Sequence, residues 1–180
     1  KITSNLKFDK LYFNEKYQNL IYLQNGTIET EYYNNNLSLY VSSKYSFIED
    51  EDLNIVNGKN DLNLHIVKKN NEDYVVEGSF KNKKKSIDPK ALFKLANIEF
   101  DLLADKKISI ETDNRFAFKI DEKQKVKDLS INSNLKFDKL YFNEKYQNLI
   151  YLENGIVETS FFDNNFTINL DSKYSFIEDE

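Results

Sequence analysis

SNLKFDKLYFNEKYQNLIYLQNGTIETEYYNNNLSLYVSSKYSFIEDE, residues 4–51, returns at residues 133–180 as SNLKFDKLYFNEKYQNLIYLENGIVETSFFDNNFTINLDSKYSFIEDE. The copies are offset by 129 positions and differ at 13 of 48, all between residues 24 and 42 of the first. Such similarity marks a recent internal duplication. The chain has the form A-B-A, with the intervening unit at 52–132, and is expected to be one continuous segment, 1–180, cut from a tandem array. The absence of methionine, even at position 1, fits a piece of a longer protein.

The differences between the copies report which side chains point inward. Leu37, Leu39 and Val41 alternate with Ser38, Tyr40 and Ser42, the period-2 signature of a strand with one buried face. In the second copy the same positions hold Phe166, Ile168 and Leu170, alternating with Thr167, Asn169 and Asp171. Every inward change stays apolar while size and shape vary. A tightly interlocked core resists added methylenes at a cost of about 1–3 kcal/mol, whereas a surface touching fluid lipid does not; compensating changes elsewhere that repack an ordinary core are the alternative explanation.

Further alternating runs are Leu62, Leu64, Ile66; Tyr74, Val76, Gly78, Phe80; Ile98, Phe100, Leu102; Ile108, Ile110; Phe116, Phe118, Ile120; and Leu129, Ile131. About twelve strands are predicted. Asn25-Gly26, its copy Asn154-Gly155, and Asn57-Gly58 are predicted hairpin turns, because a type I′ turn needs two residues that tolerate positive φ. The first would set Leu23 opposite Ile28, the third Leu53 opposite Leu62. One short helix near 88–96 is predicted from an Asp88 cap, Pro89 in the first turn, and Ala91, Leu92, Leu95 and Ala96 at helical spacing. The fold class is therefore all-β, mainly antiparallel, with one short helix. The elongated twisted sheet either closes as a sandwich or curls into a U-shaped groove; tandem units favour the groove, which can extend indefinitely.

Composition removes several functions. A net charge of −5 and a pI near 5.1 argue against nucleic acid as the partner. Zero cysteines exclude disulfides, thiolate metal sites and cysteine nucleophiles. His65 is the single histidine; it lies between Leu64 and Ile66, so it should face solvent, with no partner for a triad or metal site. The acidic run Glu49–Asp52, partly repeated at Glu178–Glu180, lacks the spacing and glycine of a calcium loop and reads as a solvated turn. Lys83, Lys84 and Lys85 read as blunting a strand edge, with contact to anionic lipid head groups as the alternative. The sequons at Asn25, Asn36 and Asn165 are expected by chance in an Asn-rich chain. No enzyme, metal or cofactor is expected.

Phrases such as SNLKFDKL, YLENGIVETSFFDNNFTINLDSKYSF and RFAFKIDEKQKVKDLSINS resemble the AsmA-like proteins of Gram-negative envelopes, especially the YhdP and TamB branches. The resemblance covers essentially the whole chain and implies a β trough with apolar interior and polar exterior, short helices between groups of strands, and an inner-membrane anchor elsewhere in the parent protein. It implies a segment of a bridge-like lipid transporter in the periplasm, holding phospholipid acyl chains between the two membranes. The lipid-binding lining would be Leu37, Leu39, Val41, Leu62, Leu64, Ile66, Phe116, Phe118, Ile120, Phe166, Ile168 and Leu170, forming one concave surface. The alternative is a structural or adhesive extracellular β-repeat with a closed core. Free strand edges at the two ends are expected to pair with another copy.

Overall fold

The structure, a computed structural model, describes residues 1–12, 21–47, 61–70, 72–88, 102–104, 106–142 and 150–176. Among these residues the chain forms nine strands: β1 (Ile2–Tyr12), β2 (Ile21–Tyr33), β3 (Asn36–Phe47), β4 (Asp61–Lys68), β5 (Tyr74–Ile87), β6 (Ile108–Ile120), β7 (Val126–Tyr141), β8 (Ile150–Phe162) and β9 (Asn165–Phe176). They build one antiparallel sheet in sequence order, open at β1 and β9. There is no helix among the described residues. Residues 89–96 of the predicted helix, and the Asn57-Gly58 turn, lie outside them.

The tight hairpins are made by residues that accept positive φ. Asn34 and Asn35, at φ 47° and 61°, join β2 to β3, and Asp163 and Asn164, at 49° and 59°, join β8 to β9. Two consecutive left-handed residues are the type I′ requirement, which the asparagine and aspartate side chains tolerate. The β6–β7 turn is held by the Asp121 carboxylate, whose Oδ1 accepts from the backbone N–H of Lys123 and of Lys125, both at 2.9 Å.

Asn25-Gly26 and Asn154-Gly155 are not turns. They lie inside β2 and β8, which run on for 13 residues each. Asn25 and Asn154 do adopt φ of 50° and 51°, but each glycine keeps a negative φ, and the pairing slips between Gln24 and Thr27 and between Glu153 and Ile156. One left-handed residue makes a β-bulge rather than a reversal. The bulge changes which side chains share a face. Leu23 and Ile28, five residues apart, would alternate to opposite faces, yet both belong to the cluster around Val41 and Tyr45. Leu152 and Val157, 129 positions later, do the same around Ile108, Ile110 and Phe137. These strands run through the bulge, so neither Asn-Gly pair divides its strand in two; nine strands lie among the described residues, and the predicted run at Ile98 and Phe100 lies outside them.

The three described glycines are needed for a second reason. Gly26, Gly78 and Gly155 each pair across the strand with a phenylalanine: Phe8, Phe116 and Phe137. Each ring lies over the glycine so closely that a Cβ would collide with it. An aromatic ring covering a cross-strand glycine recovers packing that the missing side chain forgoes.

Register turns this alternation into two continuous rows. Leu6 pairs with Ile28, Ile28 with Val41, Val41 with Leu64, and Leu64 with Gly78. Gly78 pairs with Phe116, then Ile131, Phe161 and Phe166 follow in turn. An apolar residue or glycine thus occupies this row in all nine strands, over about 38 Å at ~4.8 Å per strand step. One residue along, on the opposite face, Lys7 pairs with Thr27, then Ser42, Asn63 and Ser79. That row continues through Arg115, Asn132, Ser160 and Thr167. One face is greasy and the other polar along the same line.

Candidate functional site

The register puts all twelve sequence-predicted lining residues on the apolar face. Val41, Leu64, Phe116 and Phe166 stand in the nine-strand row itself. Leu39, Ile66 and Phe118 form the next row with Val76 between them, and Leu37 and Ile120 the row beyond, joined through Lys68 and Tyr74. Leu62 and Ile168 lie on the other side, in a row completed by Ser43, Phe80, Asn114, Ser133 and Thr159. Leu170 follows at Val157.

Their exposure is graded. Val41 is buried at 8%, most of the others are half-buried, and Phe166, Ile168 and Leu170 on the edge strand β9 are 61%, 59% and 55% exposed. The gradient follows the connections. Strands are joined by tight turns at one end of the sheet and by long segments at the other. On the apolar face, Tyr45, Ile108, Ile110 and Phe137 near the long connections are buried, whereas Ile2, Tyr74, Val126 and Phe166 near the hairpins are exposed. Val76, in the central strand, is buried at 5% despite lying toward the hairpins, and on the edge strand β9 Tyr174 and Phe176 are 67% and 64% exposed at the opposite end.

The lining named from the sequence leaves out part of this surface. Leu6, Ile28, Ile131 and Phe161 complete the central row; Leu6 and Phe8 alternate in SNLKFDK and could have been found. It also missed polar groups set into the apolar face. Asn114, 7% exposed, donates from Nδ2 to the Phe80 carbonyl at 3.2 Å and to Thr112 Oγ1 at 3.1 Å, and its Oδ1 accepts from Ser133 Oγ at 2.5 Å. Ser43 and Asn82 are equally buried, and Ser43 Oγ and Asn82 Oδ1 have no partner among the described residues. Burial drives the Tyr45 phenol pKa up, and the neighbouring Asp61 carboxylate adds to that, against the lowering effect of its hydrogen bond with Asn82. One charge also reaches this face. Lys68 sits at the hairpin rim, its Nζ 4.8 Å from the centre of the Tyr74 ring and donating to the Glu72 carbonyl.

The opposite face carries the groups with hydrogen-bonding chemistry. His65 projects there, as its position between Leu64 and Ile66 predicted, but it is not merely solvated. Its ring stacks on Tyr40 at 4.1 Å and 6°, and Nε2 lies 3.0 Å from Ser38 Oγ. Lys83–Lys85 do not blunt an edge. They belong to β5, an interior strand, and Lys83 Nζ pairs with Glu111 Oε2 at 3.0 Å, lowering the pKa of that carboxyl. Two cavities of about 610 and 600 Å³ open on this face and meet at Asp113 and Arg115; a third, of about 370 Å³, shares Glu29 and Tyr40 with the first.

Among the described residues no cluster of three or more His, Asp or Glu could hold a metal ion, and no helix is long and apolar enough to cross a membrane. No family model, curated protein or solved structure matches this chain, so the likeness to AsmA-like proteins rests on the pattern of its sequence alone.

Proposed function

We propose that the chain is a segment of a bridge-like lipid-transport protein of the bacterial envelope, and that its apolar face receives phospholipid acyl chains. The observation that carries the reading is the nine-strand apolar row from Leu6 to Phe166, which runs across the sheet without a charge. On this face Ile2, Leu6, Ile131, Phe166, Ile168 and Leu170 are 36–67% exposed, and clustered exposed apolar side chains mark a surface that takes an apolar partner. An acyl chain laid along it exchanges water for apolar contact at about 0.8 kcal/mol per buried CH₂. The free interchange of Leu, Ile, Val and Phe between positions 37–41 and 166–170 suits a fluid occupant better than a fixed one.

In this reading the twisted sheet curls toward its apolar face, forming a U-shaped groove with its mouth along the hairpin rim. Lys68 at the rim would meet the phosphate, leaving head groups in water. The repeat makes the segment extensible. The bounds of β2 and β8 differ by 129, as do those of β3 and β9, so further units would continue the groove at both free edges. Membrane contact and inner-membrane anchoring would come from the parent protein. In isolation the edges of β1 and β9 would pair with another copy.

The test is displacement of a fluorescent fatty acid, cis-parinarate, by phosphatidylethanolamine and phosphatidylglycerol. Saturable binding, lost in the Leu39→Asp, Ile168→Asp double variant while its circular dichroism is unchanged, is the expected result. An unbound probe, or global unfolding of the double variant, favours the closed adhesive core instead.

A further inference from the structure

The apolar row accounts for one face only, and the cavities of 610 and 600 Å³ open on the other. Their floor is the polar row, short side chains such as Ser42, Asn63, Ser79 and Asn132. Larger groups stand on either side. Glu29, Tyr40, His65 and Glu77 pair in one flanking row, and Lys81, Asp113, Asn134 and Glu158 in the other. One taller row borders the short floor on β2–β5 and the other borders it on β5–β8, where Ala117 and Ser130 stand on the remaining side; the shared Asp113 and Arg115 join the two halves into one shallow valley. The valley therefore crosses the sheet from β2 to β9.

We propose that this valley binds an extended, uncharged glycan chain. Hydroxyl and amide groups alternate as donors and acceptors along its floor, one set per strand at about 4.8 Å, a spacing close to the rise of one sugar along an extended polysaccharide. A repeating ligand with hydroxyls on every unit matches a repeating floor. Arg115, the single arginine of the chain, stands midway and forms no hydrogen bond or ion pair among the described residues. Its planar fork of donors is free to engage a vicinal hydroxyl pair. The Tyr40–His65 stack, with Tyr40 49% exposed, supplies a flat apolar wall for the C–H face of a sugar ring.

Charge selects against acidic polymers. Lys81 is already neutralised by Asp113 at 2.8 Å, and Glu29, Glu77 and Glu158 remain as negative groups along the valley. Glu29, Glu77, Glu111, Asp113 and Glu158 line the two cavities against Lys81, Arg115 and Lys136, so a polyanion would meet more carboxylates than cations. This excludes nucleic acid and sulfated or uronate-rich glycans by the same reasoning.

The test is native electrophoresis of the chain in gels cast with galactomannan, xylan, dextran or soluble starch, beside gels containing alginate, heparin or unfolded casein. Retardation by at least one neutral polysaccharide is expected. Arg115→Ala and Asn63→Phe, which empties the donor fork and fills the exposed floor, should each weaken it tenfold or more. Arg115→Lys, which keeps the charge and loses the fork, should fall between. Ile168→Asp on the opposite face should leave retardation unchanged while abolishing fatty-acid binding, so the two faces fail separately. Absence of retardation in all four neutral gels overturns the proposal. So does retardation that the Arg115 and Asn63 variants leave intact, or retardation confined to the acidic polymers or casein.

Discussion

Gly155→Ala should destabilise the sheet, although replacing glycine in a strand ordinarily does the reverse. Removing glycine's backbone freedom stabilises by about 0.4–1 kcal/mol where the conformation permits it, and Gly155 has no positive φ to forbid alanine. Space is what forbids it. A Cβ at Gly155 would lie 2.6 Å from Phe137 Cε2 and closer still to Cζ and Cε1. Phe137 is 6% exposed and packed among Ile108, Ile110, Leu135 and Leu152, so its ring has nowhere to swing. Overpacking of this kind costs about 1–3 kcal/mol, leaving a net loss of about 1–2 kcal/mol, or a fall of about 2–8 °C in Tm for a domain of this size. Gly78→Ala meets Phe116 Cε1 and Leu64 Cδ2 at 2.8 Å, but both side chains are half-buried and can shift toward the open face. Its loss should be smaller. Urea denaturation of both variants, with the Phe137→Leu background as a double-mutant cycle, measures the difference. A Gly155→Ala protein as stable as wild type, or no coupling to Phe137, would refute the ring-over-glycine packing.

Burial grades the response to charge on the apolar face: Ile168→Asp, at a site 59% exposed, should leave the urea midpoint nearly unchanged, whereas Val41→Asp, at 8%, should unfold the chain. Asp138 contributes to the acid limb of stability, together with Glu111, Asp121 and Asp128, whose carboxyls their partners also hold low. Burial pushes the Asp138 pKa up, but the N–H groups of Ser109 and Lys139, at 2.9 and 2.7 Å, more than reverse this, so it stands below the usual carboxylate value. Its contribution is present above about pH 4 and is lost as pH falls through the folded value; Asp138→Asn should partly flatten that limb in pH-dependent thermal melts. Tyr45 contributes to the alkaline limb, its raised pKa meaning stability that holds below about pH 10 and is lost as pH rises through the folded value. Tyr45→Phe should reduce that dependence, leaving the part carried by Lys119 and Lys127, whose raised pKa values act in the same direction.

The alternation at Leu37, Leu39 and Val41 was legible because a two-residue period needs only local sequence, and the structure places those side chains on one face as read. The sheet's antiparallel order was read from successive hairpins; the order holds, although Asn25-Gly26 and Asn154-Gly155 are bulges. Asn-Gly was misread because one left-handed asparagine serves a bulge as well as a hairpin, and only the cross-strand pairing at Gln24 and Thr27 separates them. The true turn residues, Asn34-Asn35, were hidden by an asparagine-rich background. Lys83–Lys85 looked like an edge because a strand's neighbours are not written in its own residues; Glu111, its partner on β6, lies 28 positions away. The polar valley was illegible for the same reason. Ser42, Asn63, Ser79 and Arg115 are unremarkable singly and become a row only once nine registers are aligned.

Native mass spectrometry of the chain, purified from bacteria without detergent, tests the central claim most directly. The account predicts one or more phospholipids bound to the wild-type chain and none bound to the folded Leu39→Asp, Ile168→Asp variant. A lipid-free wild-type chain, together with a double variant that has lost its fold, would contradict an open acyl-chain surface and leave a closed core in its place.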